Sequence, residues 1–212
     1  VALVAGGIAG ALLFGMTSDR AVVKRVSAVV GALLASAAIA IGALGLAGVG
    51  TLGALLRSDT LAIRLEYWKA SWSTMLGLPV FGTGPDGLGR YVSEFRPESY
   101  VALLGTTTRV DAAHNVALHF GATLGVIGFA LWLAFAISTT CLLAWRAWTW
   151  QVRGDGGSPV LLATVGAAWI AYLTQSLVSI DMTVLMALGW SLAGMSVAIA
   201  SDTASRPRPI TA

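Results

Sequence analysis

Four runs of this chain are long enough to cross a bilayer and carry almost no charge. Ser27 to Leu56 is 30 residues without an ionisable side chain, and Val116 to Trp145 is 30 more, interrupted only by His119. Gly156 to Ile180 and Met182 to Ser201 are also uncharged. A helix needs about 20 apolar residues to span the hydrocarbon core. Lipid offers no partner for a bare backbone, so only helices and closed barrels can span it. The expected fold is all-α, a polytopic transmembrane helix bundle with a large, partly helical extracytoplasmic loop. Composition agrees: 11% of residues are charged, against about 25% in a soluble domain. These features exclude a disordered chain, an enzyme with a solvated surface and a conventional nucleic-acid binder.

A further apolar run, Val1 to Met16, has no basic flank and no cleavage pattern, so it does not read as a signal peptide. It reads as the end of a truncated span, which makes the chain the expected C-terminal part of a longer protein. Cys141 is the only cysteine and lies in an apolar run, leaving no disulfide framework and no thiolate metal site.

The net charge of +3 acquires meaning once the charges are placed. Three short segments are basic: Arg20, Lys24 and Arg25; Arg146 and Arg153; Arg206 and Arg208. Against these seven cations stand three carboxylates, Asp19, Asp155 and Asp202. The segment from Arg57 to His114 holds six of each sign. The positive-inside rule puts the basic segments in the cytoplasm and the neutral segment and the Asp181 turn outside. Five crossings are expected, at 1–16, about 27–50, about 122–145, about 158–179 and 183–200. The domain plan is then 1–56 transmembrane with a cytoplasmic loop at 17–26, 57–114 extracytoplasmic, 115–201 three transmembrane helices, and 202–212 a disordered cytoplasmic tail. Gly42, Gly45, Gly48, Gly50 and Gly53 make the second run a close-packing surface.

Uncharged spans do no acid–base chemistry, so candidate sites lie in the external loop or at its edges. A loop this long is expected to contain elements of its own. Leu61, Leu65, Trp68, Trp72 and Met75 recur at helical spacing and form one apolar stripe, with Glu66 and Tyr67 pointing away from it. The two indoles suit a membrane interface. Arg64, one turn before Trp68 and at the stripe's edge, sits at headgroup depth, where a guanidinium either grips a phosphate through two parallel hydrogen bonds or simply snorkels. Pro79 to Tyr91 contains a literal G-x-G-x-x-G (Gly82, Gly84, Gly87). No strand precedes it and Pro85 lies inside it, so it reads as a turn, not a dinucleotide site. At the end of the loop, Asn115 is a plausible helix N-cap. His114 beside it stands at the water–membrane boundary, either as a general base near neutral pH or as a histidine with no task. His119, ~140° further round a helix, does not make a metal pair with it. No metal site and no nucleophile elbow is expected.

Arg64 and Trp68, then Pro79, Gly82 and Gly84, then His114-Asn115 followed nine residues later by Gly125-Val126-Ile127-Gly128, together resemble the C-terminal half of the O-antigen ligase and O-antigen polymerase superfamily. The resemblance covers roughly residues 26–200. Gln175 and Asp181 fit its style more weakly. Many members carry a second histidine where this chain has Ala112. The family's further arginine, from an earlier external loop, would precede Val1.

The resemblance implies a membrane glycosyltransferase of bacterial cell-envelope polysaccharide assembly, in the cytoplasmic membrane with its catalytic loop outside. It implies a glycan donor on a polyprenyl diphosphate such as undecaprenyl diphosphate, and a glycan or lipid acceptor hydroxyl. In that reading Arg64 neutralises the diphosphate, His114 is the general base, and neither a metal nor another cofactor is needed. Arg109, Asn115, Trp68 and Asp181 become substrate-binding candidates. A polymerase joining repeat units is the variant within the family. A transporter would need ionisable or broken helices at mid-membrane, and a non-catalytic scaffold would leave the loop residues dispersed.

Overall fold

The computed structural model describes residues 2–17, 20–27, 29–33, 59–153, 158–180 and 182–201. Among these every regular element is an α-helix: α1 (Ala2–Thr17), a helical stretch over 21–33 in which 28 is not described, α2 (Asp59–Gly77), α3 (Leu88–Phe95), α4 (Glu98–Leu104), α5 (Val116–Arg153), α6 (Pro159–Ser176) and α7 (Thr183–Ser201). Two are long and apolar enough to cross a membrane, Val116–Thr149 within α5 and Thr183–Ser201. Val4–Gly15 and Val160–Ser176 are shorter apolar helices. Leu131, Ile137, Trp145, Val184, Trp190 and Val197 lie exposed on α5 and α7. Such apolar faces fit insertion in lipid far better than contact with water. The crossing expected at 27–50 falls mostly on residues outside the described set, as do the glycines from Gly42 to Gly53, Asp181 and the tail.

The chain divides into two compact units. One comprises 1–38, 136–174 and 183–212. Here small residues set the spacing of α1 and α6. A Cβ on Gly6 would lie 2.8 Å from the Ala167 carbonyl oxygen and one on Gly10 2.9 Å from the Ala167 Cβ, so only glycine permits the approach. Trp169 of α6 is fully buried and donates its indole N–H to Thr140 Oγ1 of α5 at 2.9 Å. Arg146, expected in a cytoplasmic loop, instead lies inside α5, which stays helical to Arg153. Arg146 is 1% exposed, and its Nε donates to the Ile199 carbonyl of α7 at 3.2 Å. That carbonyl belongs to the last turn of α7, where no helical N–H remains to reach it. The side chain is a helix-end partner and not a loop charge.

The other unit comprises 39–135 and 175–182. The segment between Asp59 and His114 does build its own elements. Pro79 stops α2, because proline disfavours a helical residue before it. Arg96, ahead of Pro97, is extended (φ −66°, ψ 139°) and separates α3 from α4. Glu98 opens α4 where the helix dipole favours an acid, and Gly105 at φ 78° closes it. Ala70 of α2, Leu88 and Val92 of α3, Tyr100 of α4, Val110, Ala113 and Ala122 form one buried cluster. The apolar stripe of α2 packs only in part: Met75 is buried and Trp68 half-buried. Leu65 and Trp72 are exposed, whereas Glu66, Ala70, Ser71 and Thr74 are buried. Glu66 and Tyr67 therefore face the packed side of the unit, and the stripe's outer members are left for the surroundings.

The turn after α2 joins this unit to the start of α5 by exchanging backbone hydrogen bonds. Gly125 has φ 69° and ψ −166°, which breaks the α5 ladder ten residues into the helix. Val126 N–H donates to the Pro79 carbonyl at 2.7 Å, while Thr83 and Gly84 N–H donate to the Ala122 and Thr123 carbonyls, each at 2.9 Å. The turn thus satisfies the groups the break releases, as a break in an apolar helix requires. The glycine pair Gly82 and Gly84 also takes positive φ. A broken helix was the feature expected of a transporter, but here the freed groups are filled by protein backbone.

A Cβ on Gly125 would collide with the Val80 backbone, and its φ disfavours any other residue. Gly125→Ala is expected to lose at least about 1–3 kcal/mol of stability, read as a lowered Tm of the full-length protein in lipid nanodiscs. Gly194→Ala, where nothing lies within 4 Å, should leave Tm unchanged. Equal Tm values for the two variants would contradict the exchange.

Candidate functional site

Arg64, Tyr67 and Trp68 lie at i, i+3 and i+4 on α2, so one face presents all three. His114 ends the irregular stretch that leads into α5. Its φ of 53° is left-handed, a conformation rare for a residue with a Cβ. Three contacts hold it there. Trp68 Nε1–H donates to the His114 carbonyl at 3.3 Å. The Tyr67 ring stacks on the imidazole, with centroids 5.6 Å apart and planes 25° from parallel. Asn115 Oδ1 accepts the Leu118 N–H at 3.1 Å, the N-cap of α5, and Asn115 Nδ2 donates to the Leu177 carbonyl at 3.0 Å. The cap therefore also ties the start of α5 to the segment after α6.

Burial first, and then the positive charge of Arg64, hold the His114 imidazole below its ordinary value of 6.5. Both act against the imidazolium: a less polar site disfavours charge, and a guanidinium repels a second cation. His114 is thus neutral near pH 7 and able to accept a proton. Arg64 itself is partly buried.

Glu66 supports the same face from behind. Burial alone would raise its carboxyl, but hydrogen bonds from Lys69 Nζ at 2.6 Å and Ser99 Oγ at 2.7 Å, with the Lys69 charge, hold it below the ordinary value of 4.5. It stays ionised and is committed to partners other than Arg64. Behind Tyr67 lies Tyr100, 6.2 Å away between ring centroids. Tyr100 Oη–H donates to the Thr108 carbonyl at 3.2 Å. Burial, with Tyr67 beside it, raises the Tyr100 phenol further above 10, and Arg96 opposes that only in part.

Of the residues singled out in the sequence, Arg64, Trp68, His114 and Asn115 come together. Arg109 does not join them. It is exposed and lines a cavity of about 430 Å³ with Arg90 and Arg96. Asp181 lies outside the described residues. Tyr67 was missed, because an aromatic off the apolar stripe reads as a surface residue. Its position three after Arg64 on a helix was the available signal. Among the described residues no three His, Cys, Asp or Glu side chains gather as a metal site would need.

A family profile described as O-antigen ligase matches residues 1–133. The chain belongs to the O-antigen ligase family. The match takes in α1 to α4, the His114–Asn115 pair and the Gly125 break. It ends before α6 and α7. Members of this family are membrane proteins that transfer glycosyl groups, and the apolar α5 and α7 fit that setting. No curated protein and no solved structure matches the chain significantly.

The chain has two histidines, so ¹⁵N-histidine spectra of the full-length protein resolve them readily. His114 is expected to titrate below 6.5. Tyr67→Leu, which opens the ring face to water, should move it upward. Because the folded state disfavours protonation, the stabilising contribution of neutral His114 is complete above the unfolded value and falls away as the pH drops through the folded one. A midpoint above 6.5 in the unaltered protein would contradict this environment.

Proposed function

We propose that this O-antigen ligase family member transfers a glycan from a polyprenyl diphosphate to an acceptor hydroxyl at the outer face of the cytoplasmic membrane, with Arg64 and His114 as the catalytic pair. The observation that carries the reading is the juxtaposition of a fixed cation with a neutral imidazole. Arg64 is near enough to depress His114, and Trp68, one turn along α2, bonds to the His114 carbonyl.

The chemistry divides between the two. The acceptor hydroxyl gives its proton to the free ring nitrogen of His114 as its oxygen attacks the anomeric carbon. The anomeric C–O bond breaks, and its electron pair leaves with the polyprenyl diphosphate. Two negative phosphoryl groups already make a good leaving group, so the step calls for charge neutralisation more than for a general acid. Arg64 supplies it through a planar fork that matches phosphate oxygens. A cation already in place is worth about 10²–10³ in rate. Trp68 and Asn115 fix the imidazole without touching the reacting atoms.

A lipid-borne donor also needs an apolar approach. Leu65, Trp72 and Leu76 on α2, with Val80 and Phe81 in the following turn, are exposed. Phe81, at 78%, is the most open of these. A lipid-facing surface of this kind beside Arg64 suits a substrate whose diphosphate lies at headgroup depth and whose tail stays in the bilayer.

His114→Ala in the full-length protein is expected to lower turnover of carrier-linked glycan by about 10²–10⁴. Arg64→Ala should lower it by about 10²–10³, with Arg64→Lys falling between because it keeps the charge but loses the fork. The acid limb of the wild-type rate profile should have its midpoint below 6.5, following His114. Wild-type turnover in both alanine variants would remove this mechanism.

A further inference from the structure

The cavity that Arg109 lines is built by the α3–α4 hairpin and the chain returning from it. Arg90 projects from α3, Arg96 follows that helix, and Thr106, Thr107, Thr108 and Arg109 run along the opposite side. Three guanidiniums therefore border about 430 Å³. That volume lies within the range of about 300–1,000 Å³ typical of small-molecule sites.

These cations are not spent on carboxylates. Among the described residues the one ion pair is Lys69 with Glu66. Arg96 Nη1 donates to the Thr106 carbonyl at 3.0 Å and lies 5.8 Å over the Tyr100 ring, so it braces the wall with donors to spare. Arg90 lies 5.8 Å over the Tyr91 ring. The Asp111 carboxylate sets its Oδ1 against Gly89 at the pocket's edge. Glu94 and Glu98 of the same hairpin are exposed and form no ion pair. The floor is firm: Leu88, Val92 and Tyr100 beneath it are essentially inaccessible.

The ligand such a wall recognises is anionic and rich in hydroxyls. Guanidinium forks take carboxylate or phosphate oxygens in pairs. The hydroxyls of Thr106 and Thr107 and the carbonyls around them serve a polyol. A phospholipid headgroup would use the cations but has less call on the threonines, and the apolar surface suited to its tails lies on α2. We propose that this pocket binds an acidic sugar, one carrying a carboxylate or phosphate, in the glycan that the enzyme handles. The assignment rests on the glycan-transfer reading above and makes Arg90 and Arg109 determinants of glycan selection, remote from bond cleavage.

The test uses full-length protein in nanodiscs of neutral lipid, titrated calorimetrically with a glucuronate-containing disaccharide and with the same disaccharide reduced at its carboxyl group. The acid is expected to bind about tenfold more tightly or better, a preference that high salt weakens. In R90Q/R109Q, with both substitutions at exposed positions, the preference should fall to near parity while Tm is kept. R90K/R109K should restore part of it, and His114→Ala should retain it. The proposal is overturned if acid and neutral sugar bind alike, if neither binds, if R90Q/R109Q keeps the preference, or if His114→Ala abolishes it. It is also overturned if the arginines govern binding to anionic-lipid nanodiscs and leave the sugar preference untouched. An arginine-dependent preference in a protein whose glycan turnover ignores His114 would sink the mechanism and leave the pocket standing. A normal His114 dependence with no preference would do the reverse.

Discussion

The structure of the segment over 59–114 depends on a repaired break in an apolar helix. Gly125 adopts a backbone conformation that no helix tolerates, and three groups of α5 lose their ordinary partners. The turn over 79–84 supplies replacements, accepting from Val126 and donating to Ala122 and Thr123. Each such group left bare in an apolar setting would cost roughly 1–3 kcal/mol, so the turn and the break must form together. That exchange fixes where α2 ends relative to where α5 begins. It brings Arg64, near the start of α2, and Trp68, at its middle, to His114, two residues before α5. The glycines serve this geometry, because positive φ and the close backbone approach both exclude a side chain.

With the two helices joined in this way, the electrostatics of the site follow from an unequal division of partners. Glu66 is the carboxylate closest in sequence to Arg64, and it faces Lys69 and Ser99 instead. Arg64 is left uncompensated and able to repel a proton from His114. The Tyr67 ring adds desolvation on the imidazole face. A cation that suits a diphosphate and a base that stays unprotonated are thus two consequences of one arrangement. Moving Glu66 toward Arg64 would weaken both at once.

Much of this was legible in the residues. Uncharged runs of bilayer length gave the helical class, and Arg64, Trp68, His114 and Asn115, singled out in the sequence, lie together in the structure, with Asn115 as the N-cap. What was not legible has physical causes. The apolar stripe of α2 pointed to one face, but the face that packs on the protein carries Glu66, Ala70, Ser71 and Thr74, since small and hydrogen-bonded residues pack as well as large apolar ones. A rule that ranks faces by hydrophobicity cannot separate a lipid-facing stripe from a buried one. The break at Gly125 was not foreseen, because a helix break leaves no mark on periodicity when the segment that repairs it lies far away in sequence. Arg146 read as a loop charge, because charge placement locates the end of a span but not which carbonyl the side chain reaches.

The same limit applies to the loop as a whole. Six cations against six carboxylates make it neutral, and neutrality in a sequence suggests a solvated surface of mutual pairs. Folding does not pair them. Among the described residues a single ion pair forms, and it consumes a lysine, not an arginine. Arg64 stands beside a histidine, and Arg90, Arg96 and Arg109 stand around a cavity. Lysine, a compact hydrated charge, is the cation used for internal balance. Arg90 and Arg96, whose forks fit phosphate and carboxylate, are held against the Tyr91 and Tyr100 rings and, for Arg96, the Thr106 carbonyl, which orient them without neutralising them. A surface that pairs its charges at random would not sort them by geometry of recognition. This sorting is what separates a loop that merely connects two helices from one that keeps its guanidiniums out of ion pairs among the described residues.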